Sequence, residues 1–229
     1  MLPGKLWAGR QSGFFCGEKS SGINLLLFPA VLSTELDTMA RKDSEEIDRL
    51  VSLAQQGDRQ AFSGLVRLLV NDVVALTYRM TGDRDVAHDL AQDAFVAAWQ
   101  GLGDFRGEAR FENWLYRIAS NKTLNYLSKA STVRSTSLEQ SLQIQDTEPD
   151  SGPAPDRQLA QQQLREGVLA FMQTLPPQQR VVFELRFYRQ LDFGEIAEVT
   201  GKALGTVKTH YREAVAKLRA AAVKKGWRS

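Results

Sequence analysis

The sequence predicts an all-α protein made of two small helical domains joined by a flexible linker. Three observations carry that expectation. Apolar residues recur at helical spacing from Met39 to about Lys129 and again from Arg157 to about Lys225, and no segment alternates with the period of two that a half-buried strand needs. Between these stretches, STVRSTSLEQSLQIQDTEPDSGPAPD, residues 131–156, is rich in Ser, Thr, Gln, Asp and Pro and too poor in apolar side chains to repay ordering. Finally, 229 residues with 43% hydrophobic content can form two small cores or one large one without metal or disulfide staples, and the length favours two domains. The expected division is a leader, 1–38, a first helical domain, 39–130, the linker, 131–156, and a second helical domain, 157–229.

The leader has scattered glycines and no sustained helical period. Its apolar run LLLFPAVL, Leu25 to Leu32, is interrupted by Pro29 and is far shorter than the roughly 18 apolar residues of a membrane span. No small-x-small cleavage site follows it, so neither membrane insertion nor secretion is expected. Cys16, the single cysteine, has no partner in the chain, which agrees with a reducing cytoplasm. The leader reads as a disordered tail, as a regulatory extension in which Cys16 meets oxidants, or as a stretch ahead of a true start at Met39. In the first and last of these readings residues 1–38 are dispensable.

The next informative stretch is DRDVAHDLAQDAFVAAWQ, Asp83 to Gln100. On a helix, Val86, Leu90, Ala94 and Ala97 make one buried stripe, while Asp85, His88, Asp89, Gln92 and Asp93 cluster on another side. A solvated face, a metal site and a protein interface all fit such a cluster. The metal reading suffers from a single histidine and no cysteine. Phe95 and Trp99 on the same helix favour the interface, since acids bordering aromatics resemble a polar rim around anchors.

FRGEARFENWLYRIASNKTLNYLSK, Phe105 to Lys129, then interleaves aromatics with cations. Phe111, Leu115 and Ile118 are spaced as core residues. Trp114 fits core and surface equally. Tyr116 lies off the stripe and is expected to offer a stacking face to single-stranded nucleic acid, with Asn121 and Lys122 beside it. Phe105, Arg106 and Gly107 suggest a loop able to close over an extruded base.

Beyond the linker, Pro177 in LPP suits the first turn of a helix. GEIAEVTGKALGTVKTHYREAVAKLR, Gly194 to Arg219, reads as a short helix, a turn at Gly201 and a longer helix. In the longer helix Leu204, Val207, Tyr211, Ala214, Val215 and Leu218 share one arc, leaving Gly205, Thr209, Arg212 and Ala216 opposite, flanked by Lys208. Net charge is only +2. From Lys202 onward, however, eight cations face Glu213 alone, as expected for a helix that approaches a polyanion. Lys202, Lys208, Thr209 and Arg212 are the candidates for contact with duplex phosphates or base edges.

The order of acidic helix, aromatic-basic helix, flexible linker and basic helix-turn-helix resembles the extracytoplasmic-function class of bacterial sigma-70 factors, over about Glu45 to Lys225. Asp85, Asp89, Gln92, Asp93, Phe95 and Trp99 match the pattern that binds the clamp of core RNA polymerase, with His88 where members usually carry an acid. Phe105, Arg106, Gly107, Tyr116 and Asn121 match the segment that melts and reads the promoter minus-ten element, and Lys122 adjoins it. The C-terminal domain matches the reader of the minus-thirty-five element. Its last helix departs from an arginine-rich pattern at His210 and Glu213, and Ala203 stands where a capping Ser or a Pro is common.

The resemblance implies a sigma-2-like and a sigma-4-like domain, with core polymerase, promoter DNA (duplex and melted strand) and an anti-sigma factor as partners. It implies cytoplasmic action without catalysis, metal or cofactor, and a linker whose Glu139, Asp146, Glu148, Asp150 and Asp156 thread the polymerase's RNA path. A dimeric helix-turn-helix regulator would leave the acidic and aromatic segments without work. A metal-dependent hydrolase would rest on His88 and its neighbours alone.

Overall fold

The computed structural model describes residues 33–136 and 166–224, with side chains over 44–131 and 166–223. Among the described residues there is no strand. Four long helices, α1 (Ser33–Gln55), α2 (Arg59–Thr81), α3 (Arg84–Gly101) and α4 (Phe111–Thr136), form the N-terminal unit. The C-terminal unit holds α5 (residues 166–174), α6 (Pro177–Phe187), α7 (Phe193–Thr200) and α8 (Leu204–Lys224). Two boundaries differ from expectation. Helix α1 begins at Ser33, inside the leader, and α4 runs on to Thr136, past the linker's expected start at Ser131. Hydrophobic period registers the apolar face of a helix and not how far its backbone continues at either end. The rest of the leader and of the linker, including Cys16 and the linker acids, lies outside the described residues.

Short polar signals set the helix ends. Asp58 caps α2 by accepting from the Gln60 and Ala61 amides, and Gly82 closes it in the left-handed region at φ 78°, donating to the Tyr78 carbonyl. Asp83 then caps α3 through the Val86 amide. At the centre of the N-terminal unit lies α2, packed on α1, α3 and α4. Its buried residues Leu65, Leu69, Val73, Leu76 and Met80 run along the whole helix. By length and composition α2 could also cross a membrane. Its packing on other helices along one face is instead that of a core helix. The buried Thr77 hydroxyl lies 2.9 Å from the Ala87 carbonyl and ties α2 to α3. Gly64 lets α1 come close, since a Cβ there would sit 3.1 Å from a Leu50 methyl.

The sequence allows two small cores or one large one; the main apolar packing spans both units. One apolar cluster runs from Ile47 and Val51 of α1 through Leu76, Phe111 and Leu115 to Val182, Leu185, Ile196 and Val207 of the C-terminal unit. A second, smaller cluster of Phe171, Met172, Leu175, Phe183, Ala214 and Leu218 lies inside that unit. Helix α6 packs on α2 and α4, and α7 packs on α4.

Arg180 of α6 is 7% exposed and spends its guanidinium on carbonyls. It donates to the Met80 carbonyl at the end of α2, to the Gln173 side chain, and to the Gln173 and Leu175 carbonyls ahead of α6. Each of those acceptors would otherwise be short of a donor, and a charged donor to a buried carbonyl is worth more than a neutral one. Replacing Arg180 with Met should therefore lower the urea-unfolding free energy by about 2–3 kcal/mol, because shape is roughly kept while the acceptors lose their donor. A change under about 0.5 kcal/mol would mean that water serves those carbonyls equally well.

Candidate nucleic-acid interface

On α3 the acidic cluster is real. Asp85, His88, Asp89, Gln92 and Asp93 are all exposed, and no group of three or more His, Cys, Asp or Glu able to hold a metal occurs among the described residues. Phe95 requires a correction as a surface anchor: it is 7% exposed and belongs to the main core. At about 100° per residue it falls on the side of Ala91, Ala94 and Ala98, which face α2 and α4. Trp99 is half-buried, its ring 4.9 Å from that of Phe62. The apolar residue that the acidic face does offer is Val96, 56% exposed between the Asp89 and Gln92 turn and Gln100. A helical wheel centred on Asp85 and Asp89 would have found it.

The loop after α3 is held from below. Gln55, the last residue of α1, donates to the Leu102 carbonyl at 3.1 Å and the Phe105 carbonyl at 2.7 Å. This residue carried no sequence signal. Phe105 leans on Phe111 and Trp114, with ring centroids 5.7 and 5.1 Å apart. Trp114 is half-buried in that cluster. Arg106 and Gly107 stand out in solvent, and Gly107 adopts φ 69°, a conformation that disfavours any Cβ. Farther along α4, Asn121 is exposed and the Lys122 ammonium lies 3.9 Å from Asp93, so the acidic face of α3 and the basic side of α4 adjoin.

Tyr116 is the second correction. Expected on the surface, it is only 6% exposed. It belongs to the main core, and the C-terminal unit lies against it. The Arg189 guanidinium, from the turn after α6, lies 5.2 Å from the ring centroid. Arg189 also pairs with Asp72 of α2, and its Nε lies 3.4 Å from Glu184. Glu184, on α6 and fully buried, in turn receives two bonds from Arg79 of α2, at 2.8 and 2.9 Å. Arg79 stacks over Tyr188 at 4.0 Å. Nearby, Asn113 of α4, also buried, donates to Glu195 of α7 at 3.1 Å.

Burial pushes the Tyr116 phenol up to about 12, against a lowering by Arg189. For Arg189 burial acts downward, but Tyr116, Glu184 and Asp72 outweigh it and the net shift is upward.

In the C-terminal unit a reciprocal capping box starts α7. Asp192 accepts from the Glu195 amide and Glu195 from the Asp192 amide, both at 2.8 Å. Gly201 at φ 64° makes the corner, and the Lys202 amide returns to the Ala197 carbonyl. Helix α8 starts at Leu204 although Ala203 offers no side-chain cap; the Ala203 carbonyl accepts from the Val207 amide. Lys208, Thr209 and Arg212 are exposed together, and Lys202 is half-buried at the corner. The Thr209 hydroxyl donates to the Gly205 carbonyl of its own helix at 2.9 Å. Glu213 is turned aside from this face. It accepts from Gln179 of α6, which accepts from Lys217, so its charge is engaged at the flank.

A helical bundle whose second unit presents a cationic recognition helix across a tight glycine corner defines a helix-turn-helix protein of the DNA-binding class. Comparison with known proteins narrows this. Residues 65–133 match the sigma-70 region 2 family and residues 165–218 the sigma-70 region 4 family. The chain is 32% identical to the RNA polymerase sigma-H factor of Pseudomonas aeruginosa over 185 residues, 76% of this chain and 93% of that one. It is 33% identical to the ECF RNA polymerase sigma-E factor of Escherichia coli over 175 residues, 72% of this chain and 90% of that one. Among solved structures it is similar to CnrH in complex with the cytosolic domain of CnrY, with 26% identity, a TM-score of 0.55 and coverage of 76% and 96%. Its fold is also similar to that of RpoE in complex with the anti-sigma factor NepR from Bartonella quintana, at 21% identity, a TM-score of 0.55 and coverage of 70% and 95%. The chain belongs to the extracytoplasmic-function sigma-70 family and is an RNA polymerase sigma factor for promoter recognition.

The raised Tyr116 pKa has a definite sign. The fold favours the neutral phenol, so its contribution to stability is whole below pH 10 and is lost as pH rises through about 12. Tyr116→Phe should remove one late tyrosine step from an ultraviolet absorbance titration and flatten the alkaline fall in urea midpoint. An unchanged titration would place the ring in water.

Proposed function

We propose that this sigma factor divides its work among three faces, acting in the cytoplasm without catalysis, metal or cofactor of its own. The acidic side of α3, with Asp85, Asp89, Gln92, Asp93 and Val96, docks on the polymerase clamp, while Phe95 and Trp99 support it from beneath. Helix α8 lies in the major groove of the minus-thirty-five element through Lys208, Thr209 and Arg212, with Lys202 near the backbone. Phe105, Arg106 and Gly107, with Tyr116, Asn121 and Lys122, take up the melted minus-ten strand. Unpairing costs a few kcal/mol per base, and stacking and pocket capture return a comparable amount. An anti-sigma factor is the expected antagonist, since the similar protein CnrH has been solved with the cytosolic domain of CnrY.

The observation that carries this reading is the chemistry of the two open faces. One exposed helix side is acidic, with Asp85, Asp89 and Asp93, and suits a basic protein surface; the other is cationic, with Lys208 and Arg212, and suits a polyanion. Asp89→Arg with Asp93→Arg should abolish pull-down of core polymerase and leave far-ultraviolet circular dichroism intact, as both residues are exposed. Undiminished binding by the folded double variant would remove the clamp assignment.

Arg212→Ala should weaken duplex promoter binding by about 1–3 kcal/mol at one base position if it reads a base, and evenly across sequences if it meets phosphate alone. Tyr116→Ala should spare recruitment and slow open-complex formation in run-off transcription. A permanganate footprint equal to wild type would contradict its part in melting.

A further inference from the structure

We infer that Leu204, the first residue of α8, reads a thymine methyl group in the minus-thirty-five duplex. The inference rests on the reading that α8 enters the major groove there. It adds the residue through which one base of that element is chosen.

The helical arc of α8 groups Leu204 with Val207, Ala214 and Leu218 as a residue for burial. Those three are buried, but Leu204 is 45% exposed. One exposed leucine needs no explanation on an ordinary surface; here its place supplies one. It opens the helix just beyond the Gly201 corner, and residues at that end of a recognition helix are the ones that reach base edges. Leu204, Lys208 and Arg212 also follow one another at intervals of four, so they form one row along the helix, with the leucine at its head and two exposed cations behind it. Cations in such a row hold the helix on phosphates, which fixes depth and register without distinguishing bases. The side chain ahead of them is left to meet the groove floor, and it carries neither charge nor hydrogen-bonding group.

The surroundings of Leu204 suit close approach. Ala203, Gly205 and Thr206 are exposed beside it, so no long side chain screens it. Gly205 lies within the helix, and a Cβ there would meet nothing within 4 Å. Packing therefore gives no reason for one of the poorest helix formers at this position, in contrast with Gly64, where a Cβ would sit 3.1 Å from a Leu50 methyl. A bare backbone in the first turn lets this end of α8 come close to a neighbour outside the chain.

Of the four bases, only thymine presents a methyl group to the major groove. Leucine against that methyl removes apolar surface of both partners from water. A cytosine in its place would set its N4 donor against carbon and leave that donor unbonded. The apolar head of the row thus selects, while the cations behind it bind.

The full-length chain bound to core polymerase is used to select duplexes from a random-sequence pool. In the selected duplex, each thymine that permanganate shows to remain paired is replaced singly by deoxyuridine, which lacks only the methyl group. Competition binding is then measured for the wild type, Leu204→Ala, Lys208→Ala and Arg212→Ala. For the wild type, deoxyuridine at one position should weaken binding about 4-fold, the worth of one buried methyl. Leu204→Ala should bind the thymine duplex about 4-fold more weakly and be indifferent to deoxyuridine at that position. Its circular dichroism should be unchanged, since the side chain is exposed and alanine is a good helix former. Arg212→Ala should weaken both duplexes in parallel and keep the methyl dependence. Equal binding of every deoxyuridine duplex by the wild type, a selected element without paired thymine, or a methyl dependence that survives Leu204→Ala would each overturn the inference. Wild-type binding by both Lys208→Ala and Arg212→Ala would instead overturn the placement of α8 on which it rests.

Discussion

The buried carboxylate of Glu184 is the constraint on which the arrangement of this chain turns. A fully buried acid must find cationic or donor partners, and here they come from α2 of one unit and from the turn after α6 of the other. That requirement fixes where α6 sits on α2. It also brings α7 onto α4, and with it Glu195 onto Asn113. Apolar burial alone would allow sliding along the helix grooves. The two-bond geometry of Arg79 on Glu184 does not, because a displacement of one helical turn would leave the acid unpaired.

The same constraint explains why the two nucleic-acid elements differ in exposure. Helix α8 lies on the far side of α6 and α7, buries Val207, Ala214 and Leu218 against them, and leaves its cations free. Helix α4 faces the C-terminal unit directly and loses Asn113 and Tyr116 to it. Glu213, one of the residues at which the last helix departs from the arginine-rich pattern, belongs to neither case. Gln179 donates to its carboxylate and accepts from Lys217, which engages the acid at the flank of α8.

Period and punctuation made most of the fold legible. Asp58, Gly82, Asp83, Pro177, Asp192 and Gly201 each mark a helix end by a local mechanism that needs no tertiary knowledge. The acidic side of α3 and the cationic side of α8 were legible for the same reason, since both follow from a helix's own periodicity. What was not legible depended on contacts distant in sequence. Tyr116 is buried, and one of the groups against its ring is Arg189, 73 positions later, which the period of α4 does not foretell. Phe95 failed differently: it was assigned to the acidic side by proximity in sequence, although its angle places it with Ala91, Ala94 and Ala98. Gln55 gave no signal because a lone glutamine at a helix end acquires meaning only from the carbonyls it reaches.

On the proposed division of work, the chain binds two promoter elements of different physical kind, one a duplex and the other a single strand that exists only after melting. The duplex is present first. A reader of duplex DNA gains from being open in the free protein, because its ligand is rigid and its approach is steered by charge. A reader of unstacked bases has no correct ligand before melting, whereas any stray single strand, RNA included, offers stacking faces. Exposed aromatic and cationic surface of that kind binds without sequence preference, so keeping it covered improves discrimination by removing wrong complexes rather than by strengthening the right one. In this chain Tyr116 is buried, with Arg189 of the second unit against it.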